Sequence, residues 1–132
     1  MRIEAIDRVV FGVRDLEAEV SFLSHLLDLR FDRLTPEPVV KGKRLTVAVS
    51  TSGIELHNVS PSESEGFRRL HLKVANLEEA KADMERKGIR IDNEIIVGGL
   101  RELLLNEHDC HGIRIGLIGY DVPHGAVIAA GR

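Results

Sequence analysis

The sequence is poor in aromatic residues, with four Phe, one Tyr and no Trp among 132 residues. A ligand site walled by stacked rings is therefore not expected, and neither is a stacking platform for single-stranded bases. Cysteine is nearly absent. Cys110 stands alone, so no internal disulfide can form, and the simplest compartment is the cytoplasm. No apolar run has the length needed to cross a bilayer. The stretch Met1–Val20 carries charges throughout and lacks the apolar core of a signal peptide. A basic excess is missing too: 18 Lys and Arg face 21 Asp and Glu, for a formal net charge of -3, which argues against a nucleic-acid binder. What is present, 43% hydrophobic and 30% charged residues, is the mixture of an ordinary soluble globular chain.

The chain repeats itself. Val13, Leu16 and Glu17 have counterparts in Val74, Leu77 and Glu78, each 61 positions on. Arg8 falls on Arg69 at the same offset, Asp15 on Asn76, and Ile54 and Leu56 on Ile115 and Leu117. One offset held over this span marks two homologous modules, about 3–58 and 67–120, joined by a polar linker over 59–66 and followed by a tail over 121–132.

Each module has the same order of elements. Ile6–Val13 is rich in β-branched residues and predicts a strand. Asp15 offers an N-cap, Glu17 and Glu19 favour the first turns, and Val20, Leu23 and Leu27 recur at helical spacing. Strands follow at Leu45–Ser50 and Gly53–Val59, with Pro38–Val40 a candidate short strand inside the Arg33–Lys43 stretch. In the second module the pattern predicts a strand at Leu70–Val74 and a helix capped by Asn76 with a Leu77, Ala80 and Met84 stripe. Gly88 stands where a left-handed residue ends such a helix, and strands follow at Ile95–Val97, Arg101–Leu105 and Ile113–Ile118. The expected class is α+β, β-α-β-β-β twice. Each sheet buries one face against its helix and leaves the other to form a cleft.

This layout, carried by Ile6–Leu16, Gly53–Leu56, Leu70–Leu77 and Asp109–Ile115, resembles the vicinal oxygen chelate superfamily. That group includes glyoxalase, methylmalonyl-CoA epimerase, extradiol dioxygenases, and fosfomycin and bleomycin resistance proteins. The resemblance implies a glyoxalase-like fold, with the tandem modules forming one curved mixed sheet around a cleft, and a homodimer. It also implies four metal-ligand positions, normally His, Gln or Glu. Here they fall on Arg8, Glu55, Arg69 and Gly116. Only Glu55 is a metal ligand by type, since guanidinium stays protonated and glycine has no side chain. No metal and no other cofactor is therefore expected.

Strand alternation sets what lines the cleft instead. Arg8, Val10 and Gly12 share one face, as do Glu55 and His57, and Arg69, His71 and Lys73, while Arg114 lies on the face of Gly116. The apolar partners all fall on the opposite face. A local positive excess suited to an anion follows. Two readings of Arg8, Glu55 and Arg69 compete: an ion-paired plug holding the modules in register, or a clamp in which Arg8 and Arg69, with Arg114 and His57, bind a carboxylate, phosphate or acyl thioester. In the second, Glu55 is the candidate base and His71 the candidate acid for isomerase, epimerase or lyase chemistry. Non-catalytic sequestration of a ligand is one alternative. A metal enzyme with a site displaced onto Glu55, His57 and His71 is another. Neither a membrane nor a nucleic acid is an expected partner.

Overall fold

The computed structural model describes residues 1–34, 46–97 and 99–120. Among these residues eight strands and two helices follow one another as β1 (Ile3–Val13), α1 (Leu16–Leu27), β2 (Phe31–Leu34), β3 (Val47–Ser50), β4 (Ile54–Asn58), β5 (Gly66–Val74), α2 (Leu77–Arg86), β6 (Ile91–Val97), β7 (Leu100–Leu105) and β8 (Ile115–Tyr120). All strands join one mixed sheet, in the order β2-β3-β4-β1-β5-β8-β7-β6. The order is that of two equivalent halves meeting at β1 and β5, which pair antiparallel. Within the halves, β1 pairs β4 and β5 pairs β8 in parallel.

The helices start where the side chains dictate. The Asp15 carboxylate accepts from the Ala18 amide at 3.0 Å, and the Asn76 side chain accepts from Glu79 at the same distance. Past α2, Gly88 takes φ +73°, a left-handed conformation that costs glycine little. Leu16 and Val20 pack against Val13, Phe31, Ala48 and Leu56, while Leu77, Ala80 and Met84 pack against Val74, Leu103, Leu105 and Leu117. These are two equivalent cores on one side of the sheet. Leu27 departs from the expected stripe and is exposed.

Several element bounds differ from those the sequence suggests. The second strand of the first module is Phe31–Leu34, paired with β3 from Phe31↔Ser50 to Leu34↔Val47. The candidate at Pro38–Val40 lies outside the described residues. β5 begins at Gly66, within the expected linker, and β8 begins at Ile115. No helix among the described residues is long and apolar enough to cross a membrane.

The opposite side of the sheet carries no helix among the described residues, yet Val10, Val49 and Ile118 on it are 0% exposed. A sheet curled toward itself produces this, because inward side chains converge and shield one another. Leu34, Val47 and Val49 form an apolar cluster at one flank of this concave face, and Leu100 and Ile118, with Tyr120 packed on them, at the other. Charged residues occupy the middle.

Candidate functional site

Two irregularities in the central strand pair decide what reaches the concave face. Between β1 and β5 the register runs Ile6↔Leu72 then Arg8↔His71, passing over Asp7. It later runs Val10↔Arg69 then Phe11↔Phe67, passing over Arg68. Asp7 and Arg68 are 61 apart, the offset of the repeat. Each is the extra residue of a β-bulge, which turns two consecutive side chains toward one side. Strict alternation places Asp7 on the helix side. The bulge instead brings it beside Arg8, with Asp7 Oδ2 3.1 Å from Arg8 Nε. The Tyr120 hydroxyl donates to the same oxygen at 2.6 Å.

Arg8 and Glu55 form the floor. Their side chains are nearly fully buried, with Arg8 Nη1 2.6 Å from Glu55 Oε1. The other Glu55 oxygen meets His57 Nε2 at 2.5 Å. Val10 pairs with Glu55 on one side, and Val49 does so on the other. Burial among them would raise the Glu55 carboxyl. The Arg8 charge and the hydrogen bond with His57 outweigh it, and the group is held well below the usual carboxylate range. Arg8 is desolvated too, yet Glu55, Tyr120, Glu102 and Asp7 together raise its pKa. Burial pushes the Tyr120 hydroxyl up, and its bond to Asp7 adds to the effect while Arg8 opposes it.

Arg69 differs from Arg8. It is half-buried on the other side of Val10, and among the described residues no carboxylate forms an ion pair with it. Burial lowers its pKa, Arg114 and Arg68 lower it further, and Glu102 and Glu55 act in the opposite sense. A guanidinium does not shed its proton in a protein, so this is a standing positive charge with incomplete compensation. Its arginine neighbours are already engaged: Arg68 Nη1 lies 2.9 Å from Glu63 Oε2, and Arg114 Nε lies 3.0 Å from Glu107 Oε2.

His71 stands opposite Arg8 on β5 and is 1% exposed. Its Nε2 lies 2.7 Å from Glu102 Oε1, close enough to pair but without an aligned hydrogen bond. Its Nδ1 is buried with no hydrogen-bond partner, as is Arg8 Nε.

Arg8, Glu55, His57, Arg69 and His71 thus share the concave face, and Arg114 stands just before β8. The expected positive excess does not hold over this face. Asp7 and Glu102, which alternation and sequence spacing do not bring to Arg8 and His71, add two carboxylates to Glu55, so three carboxylates stand with the guanidinium groups of Arg8 and Arg69. The positive charge is local to Arg69, which no carboxylate among the described residues pairs with. Of the turn at 107–112, Asp109 binds the Arg90 guanidinium and amide, each at 2.9 Å, which makes the turn a latch. Burial, with Asp109 nearby, pushes the Cys110 thiol up, away from nucleophilic use.

At the four positions where the family resemblance implies a metal centre stand Arg8, Glu55, Arg69 and Gly116. A Cβ at Gly116 would come within 2.7 Å of Glu102 Oε1 and 2.9 Å of His71 Cδ2, so side chains already fill that space. Among the described residues no group of three His, Cys, Asp or Glu side chains is arranged to hold a metal ion.

No protein-family model matches the sequence, and none of the curated proteins does. Solved structures do. A variant of Streptomyces coelicolor methylmalonyl-CoA epimerase, in complex with 2-nitronate-propionyl-CoA, matches at 22% identity and TM-score 0.68, covering 92% of this chain and all of that one. A methylmalonyl-CoA epimerase in complex with methylmalonyl-CoA and NH4+ matches at 22% identity and TM-score 0.68, covering 92% of this chain and 97% of that one. The epimerase from Mycobacterium tuberculosis gives 17% identity and TM-score 0.69 over 94% of this chain and 92% of that one. The likeness is one of fold: the chain has the glyoxalase-like fold of these epimerases.

Proposed function

We propose that this chain binds a small anionic acyl compound, an acyl thioester or a carboxylate, against its concave face and moves a proton at the carbon next to the carbonyl. The observation that carries the proposal is Arg69, a half-buried guanidinium with no carboxylate of its own among the described residues. An anionic oxygen there gains a charge-assisted hydrogen bond in a partly desolvated setting. The same charge stabilises an oxygen that becomes negative as the proton leaves. Likeness of fold to epimerases that hold acyl-CoA compounds supports the ligand class.

The residues at the implied metal positions do not fit a metal. Two are guanidinium groups and one is a glycine whose space is filled. The chemistry proposed is therefore that of side chains alone. Glu55 is a poor base, because both its oxygens are engaged and its carboxyl is held ionised. It is better suited to orient His57, whose side chain is 25% exposed and which lies beside Gly12. His57 is the group that takes up and returns the proton, with Glu55 fixing its ring.

The test uses propionyl-CoA and methylmalonyl-CoA in titration calorimetry, with proton exchange at the α-carbon followed by NMR in deuterated water. Binding that is lost in Arg69→Gln while the fold persists supports the site. Exchange that is lost in His57→Gln with binding retained supports the catalyst. Unchanged affinity in Arg69→Gln refutes the site, and binding without any exchange reduces the protein to a sequestering one.

A further inference from the structure

His71 and Glu102 meet across a strand that separates them. β8 lies between β5 and β7, so their backbones stand two strand spacings apart, roughly 10 Å. Side chains meet over that distance only if the intervening strand offers none. The residue of β8 paired with His71 is Gly116, and a Cβ there would collide with both His71 and Glu102. Absence of a side chain at Gly116 is what admits the pair.

The pair has a chemical consequence. A carboxylate against Nε2 favours the proton on that nitrogen, which leaves Nδ1 as an acceptor. Neither ring nitrogen makes an aligned hydrogen bond, but Nε2 has the Glu102 oxygen 2.7 Å away, whereas Nδ1 is buried with no partner, and such groups are normally satisfied. A carbonyl, carboxylate or enolate oxygen cannot satisfy an acceptor. A hydroxyl can.

We infer that His71 is a specificity-determining contact for a hydroxyl group on the ligand, and that Glu102 is the positioning residue that keeps His71 Nδ1 an acceptor. Arg69, two residues away on the same strand face, receives the anionic oxygen. The preferred ligand class becomes a hydroxy-substituted acyl compound. This rests on the concave face being the acyl site, as proposed above, and adds a requirement which that proposal does not make.

Two measurements test it. Nitrogen-15 spectra of histidine-labelled, ligand-free protein report the tautomer directly: His71 is expected with Nε2 protonated and Nδ1 not, and Glu102→Gln is expected to yield a mixture or the reverse. Calorimetry with 2-hydroxypropionyl-CoA against propionyl-CoA reads the contact. The hydroxy compound is expected to bind roughly tenfold or more tightly, as for a site built around a ligand hydroxyl, and to lose that advantage in His71→Phe. The wild-type tautomer and the wild-type affinity ratio need no variant to fold. A protonated Nδ1 refutes the inference. Equal binding of the two thioesters, both weakened in Arg69→Gln, refutes it while sparing the anion site. Binding of neither compound refutes both.

Discussion

Arg8 on β1 and Glu55 on β4, one diagonal apart across these parallel strands, join Nη1 to Oε1 at 2.6 Å at the floor of the concave face. The contact links the central strand to its parallel neighbour in a nearly dry setting. Removing one partner strands the other charge there, which costs about 3–5 kcal/mol in comparable buried pairs. Arg8→Met and Glu55→Leu are each expected to destabilise on that scale in urea denaturation. The double variant should lose clearly less than the sum. Additive losses would show that the two charges do not depend on each other.

The same carboxylate gives stability a pH dependence of known sign. The Glu55 carboxyl is lowered in the folded state, against opposing burial, by Arg8 and His57. Its contribution is complete above the unfolded carboxyl pKa, which lies near 4.5. As pH falls below that value the unfolded chain takes up a proton that folded Glu55 refuses, and stability declines by up to about 1.4 kcal/mol per pH unit. The decline continues until the folded group itself titrates. Urea midpoints between about pH 6 and pH 3 should fall more steeply in the wild-type protein than in Glu55→Gln. Equal slopes would remove Glu55 as the source.

Much of the fold is legible in the sequence because its cues are local. Asp15 and Asn76 cap helices with their own side chains, and the apolar alternation in Val9, Phe11 and Val13 fixes which face of β1 meets α1. The repeat offset brings Arg8 and Arg69 to matching strands. The site's missing members are not local. Asp7 joins Arg8 only through a bulge that reverses alternation, and no residue type at that point announces one. Glu102, paired with Ile118, reaches diagonally across β8 to His71, a relation that depends on Gly116, the partner of His71, having no side chain in the way. Phe31–Leu34 does not read as a strand from sequence because Asp32 and Arg33 at its centre break the apolar pattern.

Glycine at position 12 is required by packing. A Cβ there would stand 2.6 Å from Val59 Cγ1 and 2.9 Å from Arg68 Cδ. Val59 is buried backbone-bonded to Val13, so it has little room to retreat, whereas Arg68 is a flexible chain. Gly12→Ala is expected to cost about 1–3 kcal/mol of stability, the range for overpacking. Gly12→Ala combined with Val59→Ala should recover part of the loss in thermal denaturation. No recovery would place the strain elsewhere.

Metal content is the remaining discriminator, because the family resemblance implies a metal centre at positions where this chain has Arg8, Glu55, Arg69 and Gly116. A divalent cation at that centre would face two guanidinium charges, and of the four positions only Glu55 supplies a carboxylate. That carboxylate is already committed to Arg8 and His57. Ion and guanidinium therefore compete for the same oxygen atoms, and the guanidinium is covalently attached and cannot be diluted away. Protein purified without chelator should carry only substoichiometric zinc, nickel, cobalt, iron or manganese by elemental analysis. Prolonged treatment with a chelator should leave its melting temperature unchanged, since no bound ion stabilises the folded state by mass action. One tightly held ion per chain, with a melting temperature that falls on chelation, would overturn the metal-independent reading and place the ion's ligands outside the set described above.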